Sequence, residues 1–378
     1  MWRSLHDAWW RLATQRQPRS FSDALACSAL HLGSVAYQAA VALRNTAYDR
    51  GWAVQVRLPC RVVSVGNLTV GGTGKTACVE LITKKLLARG RHVAVLSRGY
   101  GGARRDYWLQ GKDGRVIVNG EGNAAADGLA DEPQLLATHL EGVPIIVGPR
   151  RDRTGAIACT QFDADTVVLD DGFQHRRVRR DCEIVLIHAR MPFSGWPVLP
   201  RGPMREPLTS LKRAHVLIIT KADEAMETVG ALEERLRSLS PDAAIVTTVH
   251  EPSTVHDAMT GASHDPKRLA GMRLALLSSI GDPEGFEATV QRLHATVGWH
   301  CALPDHYGYQ PADWDAIRER VRRDRTEALV TTEKDWVRLQ PIASRAGLDI
   351  PLWVLGIRMM VRSGEEALDD RLARLYIR

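Results

Sequence analysis

Residues 61–76 read Arg61-Val-Val-Ser-Val-Gly-Asn-Leu-Thr-Val-Gly-Gly-Thr-Gly-Lys-Thr76, and the fold turns on how they are read. A β-branched run passes into a glycine-rich turn, after which apolar residues recur at helical spacing. Glycines at 71, 72 and 74 let the backbone curl until several N–H groups point at one anion. The positive end of the following helix favours the same charge. In a phosphate loop of this kind Lys75 contacts the outer phosphates and the Thr76 hydroxyl holds magnesium. The binding segment is therefore Thr69, Val70, Gly71, Gly72, Thr73, Gly74, Lys75 and Thr76, with Thr69 standing where the usual pattern begins with glycine.

A phosphate loop needs a carboxylate at the end of a neighbouring strand to position magnesium. Thr166-Val-Val-Leu-Asp-Asp171 supplies two, Asp170 and Asp171, straight after an apolar run, and their spacing does not choose between them. Short apolar runs predict further strands at 61–65, 92–96, 144–147, 166–169 and 183–187, with a helix over 77–89 stopped by Gly90. The stretch 191–207 is rich in Pro, Gly and Arg, and a second alternating set follows, with strands expected at 215–220, 244–249, 273–278, 328–332 and 352–355. The expected class is α/β. A P-loop NTPase-type parallel sheet with flanking helices occupies 51–190, a second, smaller α/β lobe 191–378, and an N-terminal amphipathic helix falls within 1–50.

The chain has 378 residues, of which 44% are apolar, so it can bury a sizeable core. Six cysteines, at 27, 60, 78, 159, 182 and 301, make no C-x-x-C pair and read as reduced packing residues of a cytoplasmic protein. A formal charge of +6 favours anionic partners, phosphates and lipid head groups among them. No recognised nucleic-acid-binding motif is present, so nucleic acid is not expected, and neither is an obligate protein partner. A spanning helix is not expected, because no apolar run reaches about eighteen residues, and the first thirty residues, without a cationic start, compact apolar core and small-residue cleavage site, give no expectation of a secretion signal. Leu25, Ala29, Leu32, Ala36, Ala39 and Leu43 nonetheless share one helical face. Trp2, Trp9 and Trp10 lie ahead of them among Arg3, Arg11, Arg16 and Arg19, residue types that settle at a membrane interface. Two readings fit this segment: a helix on an anionic membrane surface, or a helix docked on the protein's own core.

Six segments together carry a family resemblance: Gly66 to Thr76, Ser97-Arg-Gly-Tyr-Gly-Gly102, Asp131-Glu-Pro133, Asp170-Asp-Gly-Phe-Gln-His175, Leu199-Pro-Arg-Gly-Pro-Met-Arg-Glu-Pro207 and Pro304-Asp-His-Tyr307. In this order they resemble the lipid A 4'-kinase (tetraacyldisaccharide 4'-kinase) family over about residues 50 to 340. The resemblance implies ATP and Mg2+ as cofactors, and transfer of the γ-phosphate to the 4' hydroxyl of a tetraacylated glucosamine disaccharide 1-phosphate, an intermediate of lipopolysaccharide assembly. It implies two lobes with a nucleotide cleft between them, and peripheral attachment at the cytoplasmic face of the bacterial inner membrane.

By the same resemblance Asp131 is the base that takes the hydroxyl proton, supported by His306. Asp131 beside Pro133 also fits a helix N-terminus. Arg205 and Glu206 are implied near the nucleotide or magnesium, and Tyr100 is either a lining or a packing aromatic. The clusters 150–153 and 176–180 suit a substrate phosphate, anionic lipid or plain solvation. A rival reading exists, since Gly-Gly-x-Gly-Lys-Thr loops also occur in switch ATPases and GTPases that act on a protein partner. Thr220-Lys-Ala-Asp223 is similar to the guanine-reading Asn-Lys-x-Asp motif. Against that reading, Val70 stands where such switches carry a lysine, and Thr220 replaces the asparagine.

Overall fold

The computed structural model describes residues 9, 20–99, 102, 106–112, 115–118, 129–190 and 196–377. Trp2, Trp10, Arg3, Arg11, Arg16, Arg19 and Tyr100 lie outside the described residues. In chain order the strands are β1 (Arg61–Asn67), β2 (Val93–Ser97), β3 (Tyr107–Lys112), β4 (Arg115–Val118), β5 (Ile145–Val147), β6 (Thr166–Asp170), β7 (Cys182–His188), β8 (Val216–Thr220), β9 (Ala244–Asp257), β10 (Ser263–His264), β11 (Arg273–Ser278), β12 (Thr296–Ala302), β13 (Ala328–Thr332) and β14 (Leu352–Ser363). They form one sheet in the order β12-β11-β13-β14-β9-β8-β7-β1-β6-β2-β5-β3-β4, with β10 beside β9.

β1 lies between β6 and β7, parallel to both. Strands covered on both faces need continuous apolar runs rather than alternation. Val62, Val63 and Val65 of β1, Val167, Val168 and Leu169 of β6, and Ile184 to Ile187 of β7 are all buried. One face packs on Val79, Ile82 and Leu86 of the helix Lys75–Leu87, the other on Ala158 of the helix Arg151–Gln161.

β8 pairs with β7, so the first parallel set continues past residue 190. The joint between the two halves of the sheet is β9. Over Ala244 to Thr247 it runs parallel to β8, and its remainder runs antiparallel to β14, from Thr247↔Ser363 to Trp353↔Asp257. β14 then pairs in parallel with β13, β13 with β11, and β11 with β12.

The N-terminal helix is Phe21–Asp49, capped by the Ser20 hydroxyl, which accepts from the Asp23 N–H. All six residues of the predicted apolar face, Leu25, Ala29, Leu32, Ala36, Ala39 and Leu43, are exposed. The opposite face docks. Cys27, Ser34 and Val41 are buried there. The Ser34 hydroxyl donates to Val198 O at 2.8 Å and accepts from Arg201 N at 2.9 Å, and Tyr37 OH donates to Arg205 O at 3.0 Å. Trp9 Nε1 donates to Pro200 O at 2.7 Å. Contrary to the expectation from run length, Ser22–Asp49 is long and apolar enough to cross a membrane by length and composition. Its docked face is nevertheless held to the protein by polar bonds.

The deepest of these contacts is Glu206, a fully buried carboxylate that accepts from Arg44 at 3.1 Å, Asn45 at 2.8 Å, Ser210 at 2.9 Å and Arg213 at 3.0 Å. Removing one member of such a set leaves the others without their charge partner. Glu206→Gln should therefore lower unfolding stability by about 3 kcal/mol, the low end of the range because Arg44 reaches solvent. A denaturant melt checks it, and a variant as stable as the parent would refute a clamp at this point.

Candidate active site

The phosphate loop leaves β1 at Asn67 and enters the helix Lys75–Leu87, two residues earlier than the apolar spacing indicates. Gly74 is the N-cap, with φ of +82°, and a Cβ there would lie 2.8 Å from His250 Nε2, so glycine is required on both counts. Asn67 Nδ2 donates to the Thr73 hydroxyl at 2.8 Å and thereby fixes the curl. Thr69 is buried and bridges to Met204, and Val70 N donates to Pro203 O at 2.8 Å. Gly71 and Gly72 are exposed at the tip, and Thr76 lies in the first helical turn.

Lys75 Nζ lies 3.5 Å from Asn67 Oδ1 and 3.8 Å from Asp171 Oδ1. Arg205 Nη1 donates to both oxygens of Asp171, at 2.9 and 2.8 Å. Its backbone is pinned as well, Arg205 N donating to Leu68 O at 2.6 Å. Burial works against the Asp171 charge, but Lys75 and Arg205 outweigh it and hold the carboxyl below its ordinary range.

Asp170 differs. Its Oδ2 accepts from the Ser97 hydroxyl at 3.0 Å, and among the described residues no cation pairs with it. Burial, then the neighbouring charges of Asp171 and Glu132, push it up to about 6. Asp170, Asp171 and the Thr76 hydroxyl in the first turn of the loop helix are hard-oxygen groups of the kind Mg2+ takes.

Asp131 opens the helix Asp131–His139, but Ala130 is the N-cap and no side chain caps the end. The Asp131 carboxylate faces elsewhere: Oδ2 is 3.2 Å from His306 Nδ1 and 3.3 Å from Arg338 Nε. On the other side of the ring, His306 Nε2 is 3.3 Å from Lys334 Nζ and 3.5 Å from Glu132 Oε1. The hydrogen bond to Asp131 raises the His306 value, against burial and the charge of Lys334. Asp131 is lowered because the bond from His306 and the charge of Arg338 outweigh its burial.

This pair comes to the phosphate loop through Gly281, where a Cβ would be 3.1 Å from Gly72 N and 3.3 Å from Asp305 Oδ2. Asp335 fixes the loops involved. Fully buried, it accepts from Ser279 N and hydroxyl at 3.0 and 2.7 Å, from Tyr309 OH at 3.0 Å, from Thr332 at 2.7 Å and from Arg338 at 2.8 Å.

The structure thus brings together the phosphate loop, Asp170, Asp171, Arg205, Asp131 and His306. Glu206 is not with them, because its carboxylate is spent on Arg44, Asn45, Ser210 and Arg213. Sequence reasoning missed Ser97, Lys334, Arg338 and Asp335. Ser97 opens the segment Ser97–Gly102 that carries the resemblance, and Thr332-Glu-Lys-Asp335 has capping-box spacing at the start of the helix Glu333–Ala346; Lys334 and Arg338 had no signal.

The Asp170 shift can be read directly. Carboxyl NMR on the ligand-free protein should show this group titrating near pH 6, and Asp171→Asn should lower the midpoint by removing a like charge. A raised folded value means that this group's share of stability is present below the ordinary carboxyl value and is lost as pH rises through about 6. An unshifted midpoint in Asp171→Asn would separate the two carboxylates.

The family described as tetraacyldisaccharide-1-P 4'-kinase matches residues 26–376. A tetraacyldisaccharide 4'-kinase of Anaeromyxobacter dehalogenans (strain 2CP-C) is 39% identical over 373 residues, 98% of this chain and 94% of that protein. One of Syntrophus aciditrophicus is 39% identical over 340 residues, covering 88% and 89%. Among solved structures, LpxK from Aquifex aeolicus in complex with ATP has a TM-score of 0.70 and 26% identity, covering 93% of this chain and 99% of that one. With a family match over nearly its whole length and relatives at this identity, the chain belongs to the tetraacyldisaccharide-1-P 4'-kinase family.

Proposed function

We propose that the protein transfers the γ-phosphate of ATP to the 4' hydroxyl of a tetraacylated glucosamine disaccharide 1-phosphate, at the cytoplasmic face of an inner membrane. The observation that carries the residue assignment is the Asp131–His306 pair, whose neighbour Asp305 reaches Gly281 where Gly281 meets Gly72, in a chain whose relatives bear the name of this kinase. In this reading the loop N–H groups and Lys75 neutralise the phosphates, and Arg205 holds Asp171 in place beside them. Bound Mg2+ would supply neutralisation of charge developing on the phosphate oxygens, held by Thr76 and Asp170. Asp170 is the better of the two carboxylates for that task because both oxygens of Asp171 are already bonded to Arg205.

Asp131 accepts the proton of the attacking hydroxyl, and His306 stabilises the carboxylate and shares the proton. The switch reading is not favoured. Lys221 is bonded to Asp282, and Asp223 Oδ2 is paired with Arg292 at 2.7 Å, so two polar residues of that motif are spent within the protein.

The decisive experiment combines labelled ATP, the disaccharide 1-phosphate and purified protein. A doubly phosphorylated lipid should form, and nucleotide turnover without it would overturn the reading. Lys75→Ala and Thr76→Ala should each remove most of the activity with the fold intact.

Asp131→Asn or His306→Ala should lower the catalytic rate about a hundredfold to ten-thousandfold with ATP affinity held, and the double variant should be scarcely slower than the worse single one. The pair must shed a proton before it can act as base, and His306 is raised, so the acidic limb should lie above the ordinary imidazole value of 6.5. His306→Ala should move that limb toward the carboxyl range, and an unmoved limb would dismiss the pair.

The outward apolar face of Phe21–Asp49 suits an acceptor that stays in a bilayer. Leu25→Ser with Leu32→Ser, both on that exposed face, should weaken sedimentation with anionic vesicles without altering the melting temperature. Undiminished sedimentation would remove the helix from membrane contact.

A further inference from the structure

His139 closes the helix that Asp131 opens, and the proposed chemistry makes no use of it. Its ring is held at both nitrogens. Nδ1 is 2.8 Å from Glu80 Oε2, and Nε2 is 2.9 Å from Glu333 Oε1. A neutral imidazole has a single N–H, so two ionised carboxylates are satisfied only by the doubly protonated ring. Burial opposes that charge, but the bonds to Glu333 and Glu80 outweigh it and push the group up to about 10. A cation also suits the C-terminal end of a helix.

The two carboxylates belong to different parts of the site. Glu80 is on the phosphate-loop helix Lys75–Leu87, where Lys84 also reaches it at 2.6 Å. Glu333 opens the helix Glu333–Ala346, which carries Lys334 beside His306 and Arg338 beside Asp131. Lys334 is in turn held by Glu132 at 3.0 Å and Asp305 at 3.5 Å. One ring therefore ties the loop helix, the Asp131 helix and the helix behind His306.

A partly buried ion triad is a weak means of stabilisation, since apolar side chains of equal volume commonly do as well. Two carboxylates sharing one charged ring do fix the relative placement of the three helices. We infer that His139 is a positioning residue, a charged pin that sets the distance between Asp131 and His306. The inference rests on the reading of that pair as the base.

The test uses the full-length protein with ATP and the disaccharide 1-phosphate, comparing His139→Gln and Glu333→Gln alone and in an Asp131→Asn background. Single-turnover rates should fall about tenfold or more in the single variants, because misplacement on the order of 1 Å can cost a hundredfold. ATP affinity should change by less than about twofold. In the Asp131→Asn background the same substitutions should cost little further, since the pair they position is already disabled. Glu333→Gln keeps an acceptor for the ring, so it remains informative if His139→Gln does not fold. Losses that multiply in the Asp131→Asn background, or normal rates in both single variants while Asp131→Asn is slow, would overturn the pin and leave the base standing. A fast Asp131→Asn would instead overturn the base, and the pin with it.

Discussion

Two adjacent carboxylates at the end of a buried strand are the constraint around which the molecule is arranged. Asp170 and Asp171 repel each other, and because Asp170 is buried, water screens the two poorly, so at least one must be matched by fixed cations. Asp171 is matched by Lys75 from the loop and Arg205 from the segment after the cis Leu199–Pro200 bond. That second partner has a structural consequence. Arg205 can be delivered only if its segment is pinned against the phosphate loop, and the bonds from Val70 to Pro203 and from Arg205 to Leu68 do this. The same segment is gripped from behind by Ser34, Tyr37, Arg44 and Asn45. The N-terminal helix is therefore part of the scaffold of the phosphate site.

A second constraint is continuity. Because β9 pairs with β8 at one end and with β14 along the rest, the residues of the far half are carried on the sheet that ends in the phosphate loop. His250 on β9 packs against Gly74, and Gly281, just beyond β11, reaches Gly72. His306, at φ of +58°, is bonded through its N–H to Ser279 O, so the loop bearing it inherits this placement. A pair separated by 175 residues in the chain meets at 3.2 Å: Asp335 holds the Ser279 and Tyr309 loops on either side of His306, and Arg338, bonded to Asp335, lies 3.3 Å from Asp131.

Legibility in the sequence followed burial. β1, β2, β6, β7, β8 and β11 are covered on both faces and read as apolar runs, and their observed ends fall within two residues of those expected. β3, β4, β12 and the two-residue β10 do not show in the sequence. β4 and β12 are the sheet's outer strands, β3 lies next to β4, and a run such as Thr296-Val-Gly-Trp-His-Cys-Ala302 mixes exposed with buried positions, so no period stands out. β9 and β14 outran their predictions because their added lengths satisfy each other in an antiparallel ladder. Within the site, the phosphate loop was legible from local chemistry, whereas Asp131 and His306 were legible only through motif resemblance. Lys334 and Arg338 sit on an ordinary amphipathic helix, where a lysine and an arginine usually mean solvent.

The apolar stripe of the N-terminal helix is legible in the sequence and its orientation is not, and the orientation carries the greater meaning. A soluble helix normally turns its apolar stripe inward, since a leucine left in water forgoes about 1.5–3 kcal/mol. Here Leu25 and Leu32 are 66% and 72% exposed, while Ser34, Tyr37, Arg44 and Asn45 face the protein. Folding gains from the docked face but nothing from the exposed leucines. Polar docking fixes direction and register better than apolar contact does, because each bond has a single geometry. The helix can thus be held rigidly to the segment that delivers Arg205 and still present its leucines to another phase. If that phase is the bilayer holding the acceptor, attachment to the membrane and placement of the phosphate-site arginine share one rigid element, and the acceptor would meet the site in a fixed orientation.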